Sequence, residues 1–271
     1  MGFLEEEIRR TECRRLRLVL WIVVLAGQIL LALAALSWLV PYPAPGSVAV
    51  IHLDGTLSTG DFSTPDETGS EFVGAELRAA ADNPLVEAIV LRVNSPGGTP
   101  AAAQEVVADL EYAKARKPVV ISMGDMATSA AYLVSVHGTR IYADPDTLTA
   151  GVGTIWIFTD ISQWLENEGY NITVVKSGAL KDMASPYRNL TGEEQGYAQE
   201  LVNASFERFI EDVVTQRNVS RSTIEDGRVI RGEEAVKLGL VDRLGNLHDA
   251  TEDAKALAAT GIRSSVAGQP S

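Results

Sequence analysis

The 271 residues include one cysteine, Cys13, and three histidines, His52, His137 and His248. A single thiol excludes a disulfide within the chain, so stability must come from packing and oligomerisation. There is no His-x-x-x-His pair and no Cys cluster, so metal binding has little support. His137 follows Ser129 by eight residues on one predicted helix and faces sideways, so no Ser-His-Asp triad is on offer. The Walker lysine and the dinucleotide glycine spacing are both missing, which argues against a phosphate loop. Lysine is scarce too, supplying six of the 23 basic residues. The net charge is −13, a poor match for nucleic acid or anionic lipid headgroups. No cofactor is expected.

Apolar residues, by contrast, are plentiful at 46% and unevenly spread. Residues 18–40 hold no charge, and only Gly27, Gln28 and Ser37 interrupt the run. A helix of that length spans about 35 Å, slightly more than the roughly 30 Å hydrocarbon core. The run is long for a cleavable signal peptide, and prolines rather than a small-residue cleavage site follow it. An uncleaved transmembrane anchor is expected. Arg9, Arg10, Arg14, Arg15 and Arg17 precede it, and the next basic residue is Arg78. The positive-inside rule then keeps residues 1–17 cytoplasmic and sends the rest across the membrane.

Residues 41–47 form a proline-rich linker, 48–258 one α/β domain and 259–271 a frayed tail. Strand patterns are expected at 48–53, 88–93, 118–123, 140–143 and 172–175, with a mobile loop at 58–70. Helices are expected at 72–81, 101–116, 128–136, 192–217, 233–238 and 248–258. This alternation predicts a mostly parallel sheet covered by helices.

Three segments could carry chemistry. Asn94-Ser95-Pro96-Gly97-Gly98 ends a strand, and its glycines allow backbone N–H groups to approach a ligand. Residues 124–132 put Ser129 in the first turn of a helix, whose positive end favours a developing alkoxide. Residues 176–186 carry Lys181 beside apolar Leu180. Its amine serves as a base only if burial lowers its pKa from ~10.4 by about 3 units. Taken singly, each segment reads as readily as a turn, a close-packed helix of small residues or a solvated loop.

Together and in order, the segments resemble the signal peptide peptidase A (SppA) family of serine–lysine proteases. The resemblance rests on Asn94 to Gly98, on residues 127–133 (ATSAAYL), on 144–153 (DPDTLTAGVG), on 176–188 (KSGALKDMASPYR) and on 226–245. It implies a ClpP/crotonase-like fold of repeated ββα units, with Ser129 as nucleophile and Lys181 as general base. Backbone N–H groups of Gly97 or Gly98 and of Ala130 would form the oxyanion hole. It also implies peptide substrates, signal peptides among them. Assembly into a homo-oligomeric ring would follow, with the dyad shared between neighbouring units. Ala130 and Ala131 stand where the family usually has glycines, which bears on substrate range. The rival readings are a crotonase-type acyl-CoA enzyme, which would need a basic patch for CoA, and an inactive membrane scaffold linked to stomatin.

Overall fold

A computed structural model describes residues 18–32 and 45–261. The chain divides into two compact units between Ala44 and Pro45. In the first, residues 18–32 form helix α1, with Trp21, Leu25, Leu30 and Leu31 exposed. Fifteen helical residues reach about 22 Å. No helix among the described residues is long and apolar enough to cross a membrane, and residues 33–40 of the expected span lie outside them. The tail at 262–271 lies outside them as well.

The second unit is built on one sheet. Its strands are β1 (Ser47–Ser58), β2 (Glu67–Gly69), β3 (Val86–Gly98), β4 (Val119–Thr128), β5 (Arg140–Ala143), β6 (Leu148–Ala150), β7 (Val229–Arg231) and β8 (Arg243–Leu244). The main order is β2-β1-β3-β4-β5-β8, all parallel, while β6 joins β4 in parallel and β7 pairs antiparallel with β6. The helices are α2 (Ser70–Asp82), α3 (Pro100–Lys114), α4 (Ala130–Ser135), α5 (Ser162–Asn167), α6 (Gly192–Arg217), α7 (Gly232–Lys237) and α8 (Leu247–Ala259). This is the mostly parallel α/β architecture expected from the alternation.

The central strand β3 explains the layering. Its side chains alternate between faces, and both faces are buried, so the strand reads as an unbroken apolar run. Ile89, Leu91 and Val93 join the larger core with Leu77 of α2, Leu110 of α3 and Tyr132 of α4. Ala88 and Val90 turn the other way, onto Ala250, Ala254 and Leu257 of α8. Helix α6 begins with a capping box formed by Thr191 and Glu194 and ends at Asn218 in the left-handed conformation.

Four expectations need correction. The strand expected at 172–175 does not form. Those residues pair with no described strand, and Val175 is 94% exposed. β-Branched composition favours a strand only where a neighbouring edge receives it. The loop expected at 58–70 contains β2, which Asp66 and Thr68 fasten to β1 through Thr56 N–H→Asp66 O (2.8 Å) and Thr68 Oγ1→Asp54 O (2.5 Å). Residues 94–98 do not turn away after the strand but continue β3 along β1. Ser129 caps α4 instead of occupying its first turn.

Candidate active site

Parallel strands open their C-terminal ends on one side of a sheet, and the ends of β3 and β4 meet there. Thr128 Oγ1 donates to Pro96 O (2.9 Å), and Met126 N–H donates to Asn94 Oδ1 (3.2 Å). These bonds tie the Asn94–Gly98 segment to the strand-to-helix turn that carries Ser129. Ser129 adopts φ 53°, ψ −127°, a conformation that costs a non-glycine residue about 1–3 kcal/mol and persists only where its surroundings enforce it. The enforcement is visible. Ser129 N–H donates to Ala150 O (2.8 Å), and its carbonyl accepts from Leu133 N–H (3.0 Å). Tyr132, wholly buried, donates its hydroxyl to Leu240 O (2.9 Å), and burial pushes its pKa far above the usual phenol range.

Gly97 has φ +111°, and a Cβ there would stand 2.8 Å from Ser129 Cβ and 3.0 Å from Ala130 N. The backbone of β3 is thus in van der Waals contact with the serine turn, and only glycine fits. Gly97 N–H donates to Ser95 Oγ (3.1 Å), so it is already engaged. Thr99 N–H donates to Leu57 O (2.9 Å) on the β1 side. A Cβ on Gly98 would run into Leu57 O, so glycine is required here as well. Ala130 is the first residue of α4, where N–H groups have no partner within the helix. Gly98, Ser129 and Ala130 line the same cavity.

Ser129, Gly98 and Ala130 open onto a cavity of about 650 Å³. Leu133, Val152, Val202, Phe206, Phe209 and Val229 give it an apolar lining, while Asp212, Glu225 and Asp226 outnumber Arg208 around it. A cleft of that size, with apolar side chains interleaved with polar ones such as Gln104, Gln199 and Asn203, suits an extended peptide segment. The α6 wall was not singled out from sequence, although its apolar residues were read as a helix face.

Lys181 lies elsewhere. It is exposed, and it is not among the residues lining this cavity. It makes no ion pair with a described residue. Its neighbour Asp182 is instead bound by Lys176 Nζ (2.6 Å) and by Arg188 Nη2 (2.6 Å) and Nε (3.0 Å). Arg188 also donates to Glu194 through Nη2 (2.5 Å) and Nη1 (2.8 Å). Hydrogen bonds from Arg188, then Lys176, hold the Asp182 carboxyl far below the usual carboxylate range. Sequence reading placed Asp182 beside Lys181 and missed this network, whose Arg188 was legible only as the last residue of the matching segment.

The histidines stay out of the site. His137 Nδ1 lies 2.9 Å from Glu111 Oε1, and His52 Nδ1 lies 3.4 Å from Asp54 Oδ2. Among the described residues no cluster of His, Cys, Asp or Glu could hold a metal ion.

Comparison with known proteins adds the family. The model of peptidase family S49 matches residues 111–261, a stretch that includes both Ser129 and Lys181. Protease 4 of Salmonella typhi is 36% identical over 222 residues, covering 80% of this chain and 36% of that protein. A putative signal peptide peptidase SppA of Enterococcus faecium is 34% identical over 186 residues, 66% of this chain and 54% of the relative. The capsid assembly protease C of Escherichia phage lambda is 28% identical over 214 residues, 77% of this chain and 49% of its own length. The chain thus spans about a third to a half of the length of these relatives. With the family model matched over more than half of its length, and with paired glycines, serine turn and lysine segment following one another along it, the chain belongs to peptidase family S49, the family its likeness to signal peptide peptidase A had indicated.

Proposed function

We propose that the chain is a membrane-anchored serine endopeptidase that works through a Ser129/Lys181 dyad on a ClpP/crotonase-like fold. The observation that carries this reading is the conformation of Ser129. A strained serine at a strand-to-helix turn, opening onto a groove beside Gly98 and Ala130, suits a nucleophile with those two amides as oxyanion donors. Neutral Lys181 takes the hydroxyl proton, and the alkoxide attacks a peptide carbonyl. The carbonyl oxygen, now negative, is held by the two amides. Lys181 then gives its proton to the leaving amine, and water releases the acyl group from Ser129. Because Lys181 is exposed and absent from the Ser129 cavity of its own chain, the base is assigned to a neighbouring subunit in a homo-oligomeric ring.

The apolar groove favours extended apolar peptides, signal peptides among them. Acidic Asp212, Glu225 and Asp226 would repel the phosphates of an acyl-CoA, so the peptide reading is preferred. Residues 18–40 hold the enzyme in the membrane, with the N-terminus cytoplasmic and residues 48–258 outside. The test is hydrolysis of an apolar peptide reporter by the full chain and by Ser129→Ala and Lys181→Ala. Both variants should be inactive with unchanged melting temperatures. Unchanged turnover in Ser129→Ala would remove the nucleophile, and near-normal turnover in Lys181→Ala would remove the base.

A further inference from the structure

A lysine that must act as a base has to lose its proton, and the worst neighbour for that purpose is a carboxylate. An anion within ~4–6 Å favours the ammonium form and raises a lysine's pKa by about 1–3 units. Lys181 has such a neighbour in the next residue of the chain, Asp182. Nevertheless the Asp182 carboxylate does not contact Lys181. Its two oxygens face Lys176 (2.6 Å) and the guanidinium of Arg188 (2.6 and 3.0 Å), and its side chain is only 10% exposed.

The guanidinium is fixed from its other side. Glu194, at the third position of α6, accepts both Nη1 (2.8 Å) and Nη2 (2.5 Å) of Arg188, and its side chain keeps 2% exposure. Glu194 is itself tied to the helix start, where its carboxylate accepts from Thr191 N–H (2.8 Å). The fork of an arginine can engage two carboxylates at fixed angles, which a lysine cannot do. Lys176, Asp182, Arg188 and Glu194 together sum to zero charge. Two further acids lie along these segments: Glu193 precedes Glu194 in the first turn of α6, and Asp160, next to Ile161 whose N–H joins Pro186 O (2.8 Å), caps Ser162 N–H (2.9 Å).

We propose that Arg188 is a positioning residue for the dyad: anchored by Glu194, it clasps Asp182 and so keeps that carboxylate from pairing with Lys181. The anchored clasp also fixes the path of the backbone on both sides of the base. The inference rests on Lys181 being the base, as proposed above.

The test is the pH dependence of kcat/KM for the full chain on an apolar peptide reporter. The variants are Arg188→Gln, Asp182→Asn and the two combined, with Lys181→Ala as reference. On the ascending limb, activity follows the neutral amine of the free enzyme. In Arg188→Gln the Asp182 carboxylate keeps only Lys176 on Oδ1 (2.6 Å), its Oδ2 is freed to turn toward Lys181, and the limb should move about 1 pH unit upward. Activity at neutral pH then falls about tenfold. Adding Asp182→Asn should bring the limb back, which a merely structural role for Arg188 would not do. Arg188→Gln leaves Glu194 without its partner. If it does not fold, Arg188→Gln with Glu194→Gln, with and without Asp182→Asn, is read in the same way. A limb that does not move on loss of Arg188, or stays displaced after Asp182→Asn, overturns the inference. Activity surviving in Lys181→Ala overturns instead the reading on which it rests.

Discussion

A Cβ on Gly97 would stand 2.8 Å from the Cβ of Ser129, closer than such atoms approach in folded proteins. The two residues come from different strand ends, so their contact sets how near the β3 backbone comes to the serine turn. It also sets where the neighbouring Gly98 amide points. Gly97 therefore tests the arrangement without touching the hydroxyl.

Gly97→Ala should cost about 2 kcal/mol or more, because φ +111° is strained for alanine and the methyl meets Ser129 and Ala130. Peptidase activity should fall about a hundredfold, the scale of losing one oxyanion donor. Gly196→Ala is the control. It lies on the exposed face of α6 with nothing within 4 Å of the new methyl, and it should stabilise by about 0.5–1 kcal/mol. Thermal melts and initial rates of the two variants decide the matter.

Mixing Ser129→Ala with Lys181→Ala probes the shared dyad. If each site takes its serine from one subunit and its lysine from the next, random exchange restores both groups in about a quarter of sites. Recovery toward about 25% of the wild-type rate is expected after subunit exchange. A mixture as inactive as its components would put both residues in one chain.

Acid should unfold the protein in a window set by Glu194. Hydrogen bonds from Arg188, then from Thr191 N–H, lower its pKa from 4.5 to about 2. A depressed carboxyl contributes stability that is present above its unfolded pKa and is lost as pH falls through the folded value. The melting temperature should therefore decline between about pH 4.5 and pH 2. Glu194→Gln should lower it at neutral pH and flatten that part of the profile. An equally steep decline in the variant would assign acid sensitivity to other groups.

Tyr132→Phe removes the hydroxyl that donates to Leu240 O at 2.9 Å in a fully buried setting. The carbonyl is left without that partner, at a cost of about 1–3 kcal/mol. A domain of this size should melt about 2–4 °C lower for each kcal/mol lost. A melting temperature equal to that of the wild type would show that another donor has replaced the phenol.

Much of this molecule was legible before its structure. Apolar runs such as 88–93 mark strands, and the recurrence of apolar residues at helical spacing over 192–217 marks α6. Local signals of this kind need no knowledge of what lies across the fold. Ile172, Val174 and Val175 misled for the converse reason, since a strand depends on a neighbouring edge that composition does not report. Within the site, the serine and glycine segments were legible as strand ends, although Ser129 sits at the cap of α4 and not in its first turn. The strained φ of Ser129 did not, because it is imposed by Ala150 from another strand. Likewise, the engagement of Gly97 N–H by Ser95 depends on a side-chain rotamer that spacing cannot convey.

The bond from Ser129 N–H to Ala150 O has a reach beyond the turn it closes. Ala150 and Gly151 both have φ +63°, and Gly151 N–H donates to Arg228 O (3.1 Å) just before β7. Two peptide groups thus couple Ser129 to β7, a strand contributed by the last fifth of the chain. Val229 of that strand also lines the groove. A substitution that shifts β7 would therefore be felt at once in the backbone of Ser129 and in the wall of the cavity in front of it.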